Sequence, residues 1–193
     1  PYPYCYRCVF GLEYPDCGLR CVSYLEHVVK DPPVGVPDPA AILVEPVQGE
    51  GGVIVPPEGF LKEVERICRE NDVLLIADEI QTGFGRTGKM FAVEHEGVTP
   101  DIMTMAKALG GIGLPLAGLM IKKELDVWPD TGHVGTFRGH ALAMAAGAAA
   151  IRFILEKKLP ERAAELGEHI LKRLEGEVGD LDIVGEVRGK GLM

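Results

Sequence analysis

Two side chains of opposite charge, Asp78 and Lys107, each follow a run of apolar residues. Asp78 ends the run that begins at Val73 and is followed by Glu79, and Lys107 lies 29 positions later, after the segment Asp101–Ala106. A buried parallel strand delivers its last residues to the carboxyl edge of the sheet, where open α/β sheets bind their ligands. We therefore expect Asp78 and Lys107 to border a cofactor site.

An acid and a lysine in this arrangement suit pyridoxal phosphate. A lysine amine forms a Schiff base with the aldehyde of this cofactor, which withdraws electrons through its pyridine ring. A carboxylate in a dry site favours the protonated ring nitrogen that this chemistry needs. Taken singly, Asp78 could cap a loop or helix and Lys107 could be an ordinary surface lysine, so the residues alone leave these alternatives open.

A nucleotide site is a second interpretation of the same region. Gly83–Lys89 satisfies the pattern G-x-x-x-x-G-K of a phosphate-binding loop. That loop needs Ser or Thr at the next position to reach magnesium, and this chain has Met90. Asp78 and Glu79 also precede the segment where phosphate would approach. The pattern therefore favours a glycine-rich turn over a phosphate-binding loop.

Four of the five cysteines lie in the first 21 residues, as Cys5, Cys8, Cys17 and Cys21. Two short cysteine pairs could supply four thiolates to a zinc ion. Zinc ribbons usually have longer gaps, so we expect reduced cysteines near a loop and no metal site. Cys68 falls on the apolar stripe of a predicted helix and is expected in the core.

Composition excludes several classes of protein. Lys and Arg total 20 against 29 Asp and Glu, which gives a formal charge of −9 and disfavours nucleic acid or an anionic membrane as partner. With 47% apolar residues the chain can bury a sizeable core. No apolar run approaches the roughly 20 residues of a membrane helix, and the first residues do not resemble a signal peptide. We expect a cytoplasmic protein that acts on a small metabolite.

Hydrophobic periodicity predicts an α/β chain with a parallel strand–helix–strand unit at its centre. The predicted helices are Leu19–Lys30, Pro57–Asn71, Met90–Glu96, His140–Lys157 and a long helix from Pro160. The predicted strands are Ala40–Glu45, Val73–Asp78, Asp101–Ala106 and Leu116–Ile121, the last of them possibly antiparallel, with Asp182–Met193 as a further strand followed by a glycine turn.

Four further expectations concern packing, a connector and the chain ends. The alanine-rich helix His140–Lys157 is expected to be buried on most sides. The helix from Pro160 is expected to turn one set of residues inward, namely Ala164, Leu166, Ile170, Leu171 and Leu174. Lys30–Pro39, with four prolines, is predicted to be an extended surface connector. Both termini are interpreted as cuts in a longer protein.

Four motifs, in order and with matching spacing, resemble the class III (subgroup II) aminotransferases, which use pyridoxal phosphate. They are Glu45–Gly52, Leu75–Gly88, Pro100–Ile102 with Lys107–Gly111, and Val187–Leu192. The resemblance covers Ala41–Met193. It implies the α/β fold of the type I pyridoxal-phosphate enzymes, which is aspartate aminotransferase-like. Residues 1–150 would be the second half of the large domain, and residues 151–193 the start of the small C-terminal domain.

The resemblance also implies roles for individual residues. Lys107 would form the Schiff base and shuttle protons, and Asp78 would bind the pyridine nitrogen. Ile80 would pack on one face of the ring, and Gln81 would hydrogen-bond the ring hydroxyl. No role is implied for Glu79.

Two more residues, both outside the segment Asp78–Lys107, match positions of the family. Glu45 matches a gate-like glutamate that lets one site accept both an ω-amine and a dicarboxylate. Thr136 matches a threonine that reaches the partner subunit's cofactor phosphate, which implies a homodimer or higher oligomer. The family's phosphate loop and ring-stacking aromatic would lie before residue 1, and its substrate-carboxylate arginine after residue 193, so this chain alone is expected to be inactive or nearly so.

Within the family, Leu125–Trp128 and Gly135–Met144 resemble the branch that exchanges the ω-amino group of 2,4-diaminobutyrate with 2-oxoglutarate. Most relatives carry Tyr and a small residue where this chain has Phe137 and Arg138. Arg138 could equally be a structural or interface arginine. The alternatives that remain are a 4-aminobutyrate or ornithine aminotransferase, an amino-acid racemase on the same scaffold, and a non-catalytic fragment.

Overall fold

A four-stranded sheet lies at the centre of the computed structural model, which describes residues 1–31, 37–111 and 113–193. The strand order is β1-β2-β3-β4, with β1, β2 and β3 parallel and β4 antiparallel to β3. The strands are β1 (Ala41–Val44), β2 (Leu74–Asp78), β3 (Ile102–Met105) and β4 (Gly118–Ile121). The predicted parallel unit and the antiparallel return are confirmed. Part of the predicted proline-rich connector lies outside the described residues.

Among the described residues, four α-helices accompany the sheet: α1 (Arg20–Lys30), α2 (Phe60–Glu70), α3 (Ala141–Glu156) and α4 (Leu159–Val178). Each was predicted to within a few residues. The helix predicted at Met90–Glu96 is only a four-residue 3-10 helix, Ala92–His95. Other 3-10 helices are Cys5–Arg7, Lys107–Gly110 and Lys123–Leu125. No helix in the described part of the chain is long and apolar enough to cross a membrane.

The core lies between α2 and one face of the sheet. On α2, Val64, Ile67 and Cys68 are completely buried, at the three- and four-residue spacing of one helix face. On β2, Leu75 and Ala77 are buried, whereas the alternate residues are half-buried. Burial raises the pKa of Cys68 to about 11, so this thiol is a protonated core residue as predicted.

A buried carboxylate, Asp101, ties together the elements that carry the two candidate residues. One oxygen accepts the backbone N–H of Leu75 at 2.8 Å. The other accepts Arg69 Nη1 of α2 at 2.8 Å and Lys122 Nζ at 2.6 Å. Burial opposes ionisation of Asp101, but the hydrogen bonds from Lys122 and Arg69 outweigh it and hold the pKa at about 2. Asp101 therefore fixes the start of β3 against β2.

Replacing Asp101→Asn is expected to reduce the free energy of unfolding by about 2 kcal/mol at neutral pH, because two cations lose their buried partner. The folded-state pKa is below the unfolded value of about 3.9, so this stabilisation is complete above about pH 4 and is lost as the pH falls towards 2. Urea unfolding of both proteins at several pH values checks this. A constant difference across that range would contradict it, and exposed Asp126→Asn is the control.

The prediction that α3 is buried on most sides is wrong. Ala143, Gly147 and Ile154 are buried, but a set of large apolar residues of α3 is exposed: Leu142, Met144, Phe153 and Leu155. The buried side of α3 packs against α4 and the 3-10 helix that begins at Lys107. A Cβ at Gly147 would lie 2.8 Å from the carbonyl oxygen of Leu109, so glycine permits this close approach.

Two predictions for the C-terminal part are also corrected. The buried face of α4 carries Pro160, Ala163 and Gly167, whereas three of the predicted inward residues, Ala164, Ile170 and Leu174, are exposed. The segment Asp182–Met193, all of it described, forms turns and no strand. Its backbone pairs instead with the glycine-rich turn after β2, where the N–H of Leu192 donates to the carbonyl of Arg86 at 2.9 Å.

Candidate active site

Asp78 is the last residue of β2 and lies at the carboxyl edge of the parallel strands. Its side chain is half-buried rather than fully buried, and Oδ1 accepts the backbone N–H of Ile80 at 3.0 Å. Within residues 1–31, 37–111 and 113–193, no lysine, arginine or histidine forms an ion pair with it. The carboxylate is therefore held in place by its own turn and remains available to a cationic ligand.

Lys107 is separated from the end of β3 by one residue, Ala106, and begins a 3-10 helix. Its φ of +43° lies in the left-handed region, which costs a non-glycine residue about 1–3 kcal/mol and is a recurrent feature of functional sites. Its Nζ donates to Oε1 of Gln81 at 2.5 Å. The structure thus brings Lys107 onto the turn that follows Asp78.

Glu45 is linked through Gly49 to Gln81, on the turn that follows Asp78. Oε2 of Glu45 accepts the backbone N–H of Gly49 at 2.8 Å. A Cβ at Gly49 would lie 2.5 Å from Oε1 of Gln81, so the loop packs closely on the glutamine side chain, which would have to shift for any larger residue. From the other side, the hydroxyl of Tyr2 donates to the carbonyl of Glu45 at 3.1 Å. Glu45, Gln81 and Lys107 therefore form one continuous contact chain.

Ile80 borders the opposite side of the turn, in an open groove of about 730 Å³ that Thr104, Trp128, His133 and Arg138 also line. Thr104 pairs with Asp78 across β2 and β3. Its hydroxyl is buried and has no hydrogen-bond partner in the part of the chain that the structure describes. Buried hydroxyls are normally bonded, so this orphaned group beside Asp78 fits a ligand that approaches this face.

Thr136 lies in the exposed segment 131–140, away from the contact chain of Lys107. Arg138, in the same segment, donates to the carbonyl of His133. An exposed position is compatible with a residue offered to a second subunit, and the role of Thr136 across a dimer interface stays a prediction.

Glu79 is the site residue that sequence reasoning missed. Its side chain is completely buried, with Oε1 accepting the N–H of Val93 at 2.9 Å and Oε2 accepting the hydroxyl of Thr82. Burial raises the pKa of this carboxyl, and these hydrogen bonds oppose the shift. The signal was present in the alternation of β2, because Glu79 continues the buried row of Leu75 and Ala77.

The structure does not support the two alternative sites, a zinc site at the N-terminal cysteines and a phosphate-binding loop at Gly83–Lys89. The four N-terminal cysteines line one small apolar cavity, but no group of three or more metal-type ligands in the described residues could hold an ion. The segment Gly83–Lys89 forms turns and is followed by no α-helix before β3, whereas a phosphate-binding loop opens onto one. Instead, its Gly85 and Gly88 lie against Pro160 and Ala164 of α4.

The residues present fit pyridoxal phosphate. They supply a lysine amine, a carboxylate that forms no ion pair with any described residue, and an amide that already contacts the lysine. The bound cofactor supplies an electron-withdrawing pyridinium ring, and a carboxylate such as Asp78 stabilises its protonated nitrogen. The fold and the site thus define an α/β enzyme of the kind that uses a lysine to carry pyridoxal phosphate.

The chain belongs to the class-III aminotransferases, since the model of that family matches residues 9–193. These enzymes depend on pyridoxal phosphate, which confirms the cofactor prediction.

Named relatives agree with this assignment. The chain is 45% identical to the diaminobutyrate–2-oxoglutarate aminotransferase of Haemophilus influenzae and 46% identical to the leucine/methionine racemase of Thermococcus litoralis. All of this chain is matched in both comparisons, against 42% and 43% of the two relatives. The chain thus spans less than half the length of the curated relatives it matches.

A solved structure, the ornithine aminotransferase of Toxoplasma gondii, superposes with a TM-score of 0.83 at 41% identity. The superposition covers 89% of this chain and 39% of that one, which shows partial occupancy of pyridoxal phosphate at its active site. The predicted type I pyridoxal-phosphate fold is confirmed. The division into domains at residue 150 stays a prediction.

Proposed function

We propose that the full-length protein transfers the ω-amino group of 2,4-diaminobutyrate to 2-oxoglutarate, yielding aspartate semialdehyde and glutamate in a ping-pong reaction. The contact between Lys107 and Gln81, on the turn that follows Asp78, is the observation that carries the aminotransferase chemistry. The choice of amine is supported by two diaminobutyrate–2-oxoglutarate aminotransferases, each 45% identical across the whole of this chain.

In this proposal each site residue has a defined task. Lys107 would supply the amine that holds the cofactor and the base that moves the substrate's proton. Asp78 would keep the ring nitrogen protonated, Gln81 would hold the ring hydroxyl and Ile80 would cover one face of the ring. Glu45, fixed by Gly49, lets the same site admit an amine in one half-reaction and a dicarboxylate in the other.

The rest of the site would come from other parts of the assembly. Because the chain spans about 42% of its relatives, we propose that residues 1–150 are the second half of the large domain and residues 151–193 the start of the small one. Thr136 would reach the cofactor phosphate of the partner subunit in a homodimer or higher oligomer. The five cysteines are free, which suits a cytoplasmic enzyme, and no nucleic acid or membrane is needed.

An amino-acid racemase is the second candidate. The leucine/methionine racemase of Thermococcus litoralis is as similar to this chain as the diaminobutyrate enzymes are. A racemase inverts the α-carbon and needs no 2-oxoglutarate, whereas a transaminase must transfer nitrogen to it. Ornithine and 4-aminobutyrate are the competing amino donors within the transaminase interpretation.

An assay of the full-length protein with each amine, with and without 2-oxoglutarate, tests the proposal. We expect glutamate formation that depends on 2-oxoglutarate, with kcat/KM for diaminobutyrate about tenfold above those for ornithine and 4-aminobutyrate, equivalent to roughly 1.4 kcal/mol of discrimination. A preference for either competitor would overturn the assigned amine. Inversion of leucine or methionine without 2-oxoglutarate, and no glutamate formed, would favour the racemase.

A further inference from the structure

Glu79 uses every hydrogen-bonding group it has to fix the turn after β2. Besides the two contacts of its carboxylate, its backbone N–H donates to the carbonyl of Thr104 at 3.0 Å. Its own carbonyl accepts the N–H of Gly83, also at 3.0 Å. A Cβ at Gly83 would lie 2.8 Å from that carbonyl oxygen, so the turn closes only with glycine there.

The carboxylate joins two segments that are separate in sequence. Oε2 holds Thr82, inside the turn, and Oε1 holds Val93, in the 3-10 helix Ala92–His95. The Glu79 side chain thus links the turn 79–83 to the buried residue Val93. Ile80 and Gln81 lie between Glu79 and Thr82, and Asp78 directly precedes Glu79.

The spacing of Asp78 and Gln81 depends on that turn. The two residues are three positions apart and must reach two atoms of the same flat ring, so their separation is set by the backbone between them. A misplacement of about 1 Å in such a group can cost a hundredfold in rate. Glu79 is completely buried. Burial of a carboxylate lowers the free energy of unfolding unless hydrogen-bond donors compensate for the lost hydration of its charge.

We propose that Glu79 is a positioning residue that sets the geometry of Asp78 and Gln81 toward the cofactor. This inference rests on the proposed function, because it needs pyridoxal phosphate bound at this turn. Glu79 acts through the two hydrogen bonds of its carboxylate, and it touches neither the cofactor nor the substrate.

The test uses the full-length protein and three variants. Glu79→Ala leaves the N–H of Val93 and the hydroxyl of Thr82 unpaired, and we expect the dissociation constant for pyridoxal phosphate, measured by titration of the apoprotein, to rise at least about tenfold. Glu79→Gln keeps the shape of the side chain and one acceptor oxygen, so its dissociation constant for pyridoxal phosphate should lie within about threefold of the wild-type value. Thr82→Val removes one contact and keeps the volume, so it supplies the answer if the alanine variant does not fold.

Glu94→Ala is the matched control. Glu94 lies on the same 3-10 helix and accepts the N–H of Phe91 at 2.7 Å, but it is exposed and does not contact the turn. We expect it to lower the melting temperature of the apoprotein without weakening cofactor binding. Unchanged binding in Glu79→Ala or in Thr82→Val, or an equal loss in Glu94→Ala, would overturn the positioning role. A parent that does not bind pyridoxal phosphate at all would instead refute the proposed function.

Discussion

Lys107→Ala should abolish transamination by the full-length protein, with kcat reduced at least about a thousandfold. The reason is chemical, since in the proposed function the amine of Lys107 supplies both the covalent link and the base for the proton transfer, and alanine offers neither. The side chain donates to Gln81 and its closest carboxylate, Glu50, is exposed and 4.0 Å away, so its removal disturbs no buried ion pair. We therefore expect the loss of activity without a large loss of stability.

Steady-state kinetics and the visible absorbance band of the bound cofactor, recorded for wild type and Lys107→Ala, check this expectation. Lys89→Ala is the control, because Lys89 is an exposed lysine in the glycine-rich turn near the site. The control should keep full activity and the wild-type band. If Lys107→Ala also kept that band and its turnover, the assignment of the lysine would be wrong.

Asp78→Asn should lower kcat about a hundredfold while the protein still binds pyridoxal phosphate. An amide has nearly the shape of the carboxylate and can accept the N–H of Ile80, so the turn is preserved. It carries no charge, so it cannot hold the ring nitrogen protonated, and lost electrostatic stabilisation of this kind typically costs about a hundred- to a thousandfold.

A substitution at the other end of the same strand provides the comparison for Asp78→Asn. Asp72 precedes β2, is exposed and has a φ of +55°, which asparagine tolerates well. Asp72→Asn should therefore leave kcat and KM unchanged. Wild-type turnover in Asp78→Asn would show that this carboxylate is not the partner of the ring nitrogen.

The sequence was sufficient to predict the sheet edge, because apolar runs with a polar end are what buried parallel strands require. Asp78 and Lys107 were placed at strand ends from this pattern, and the core role of Cys68 followed from its helical spacing. The roles of Glu45, Ile80, Gln81 and Thr136 came from family resemblance, and they stay predictions until variants are measured.

Other features depend on contacts between distant parts of the chain, which a single sequence does not specify. Neither the strand pattern nor the family resemblance assigns a role to Glu79, whereas side-chain alternation along β2 turns it into the core. The approach of Gly49 to Gln81 joins two loops that are 32 positions apart. The sequence shows that α3 is apolar, but composition does not reveal which sides of the helix are covered by other parts of this chain.

Chemical mapping of the cofactor link is the most direct test of the central claim. Pyridoxal phosphate is added to the full-length protein, the link is fixed by borohydride reduction, and the modified peptide is identified by mass spectrometry. We expect a single modified residue, Lys107, and no such modification in Lys107→Ala. Modification of a different lysine, or a spread over exposed lysines such as Lys89 that matches a denatured control, would contradict it.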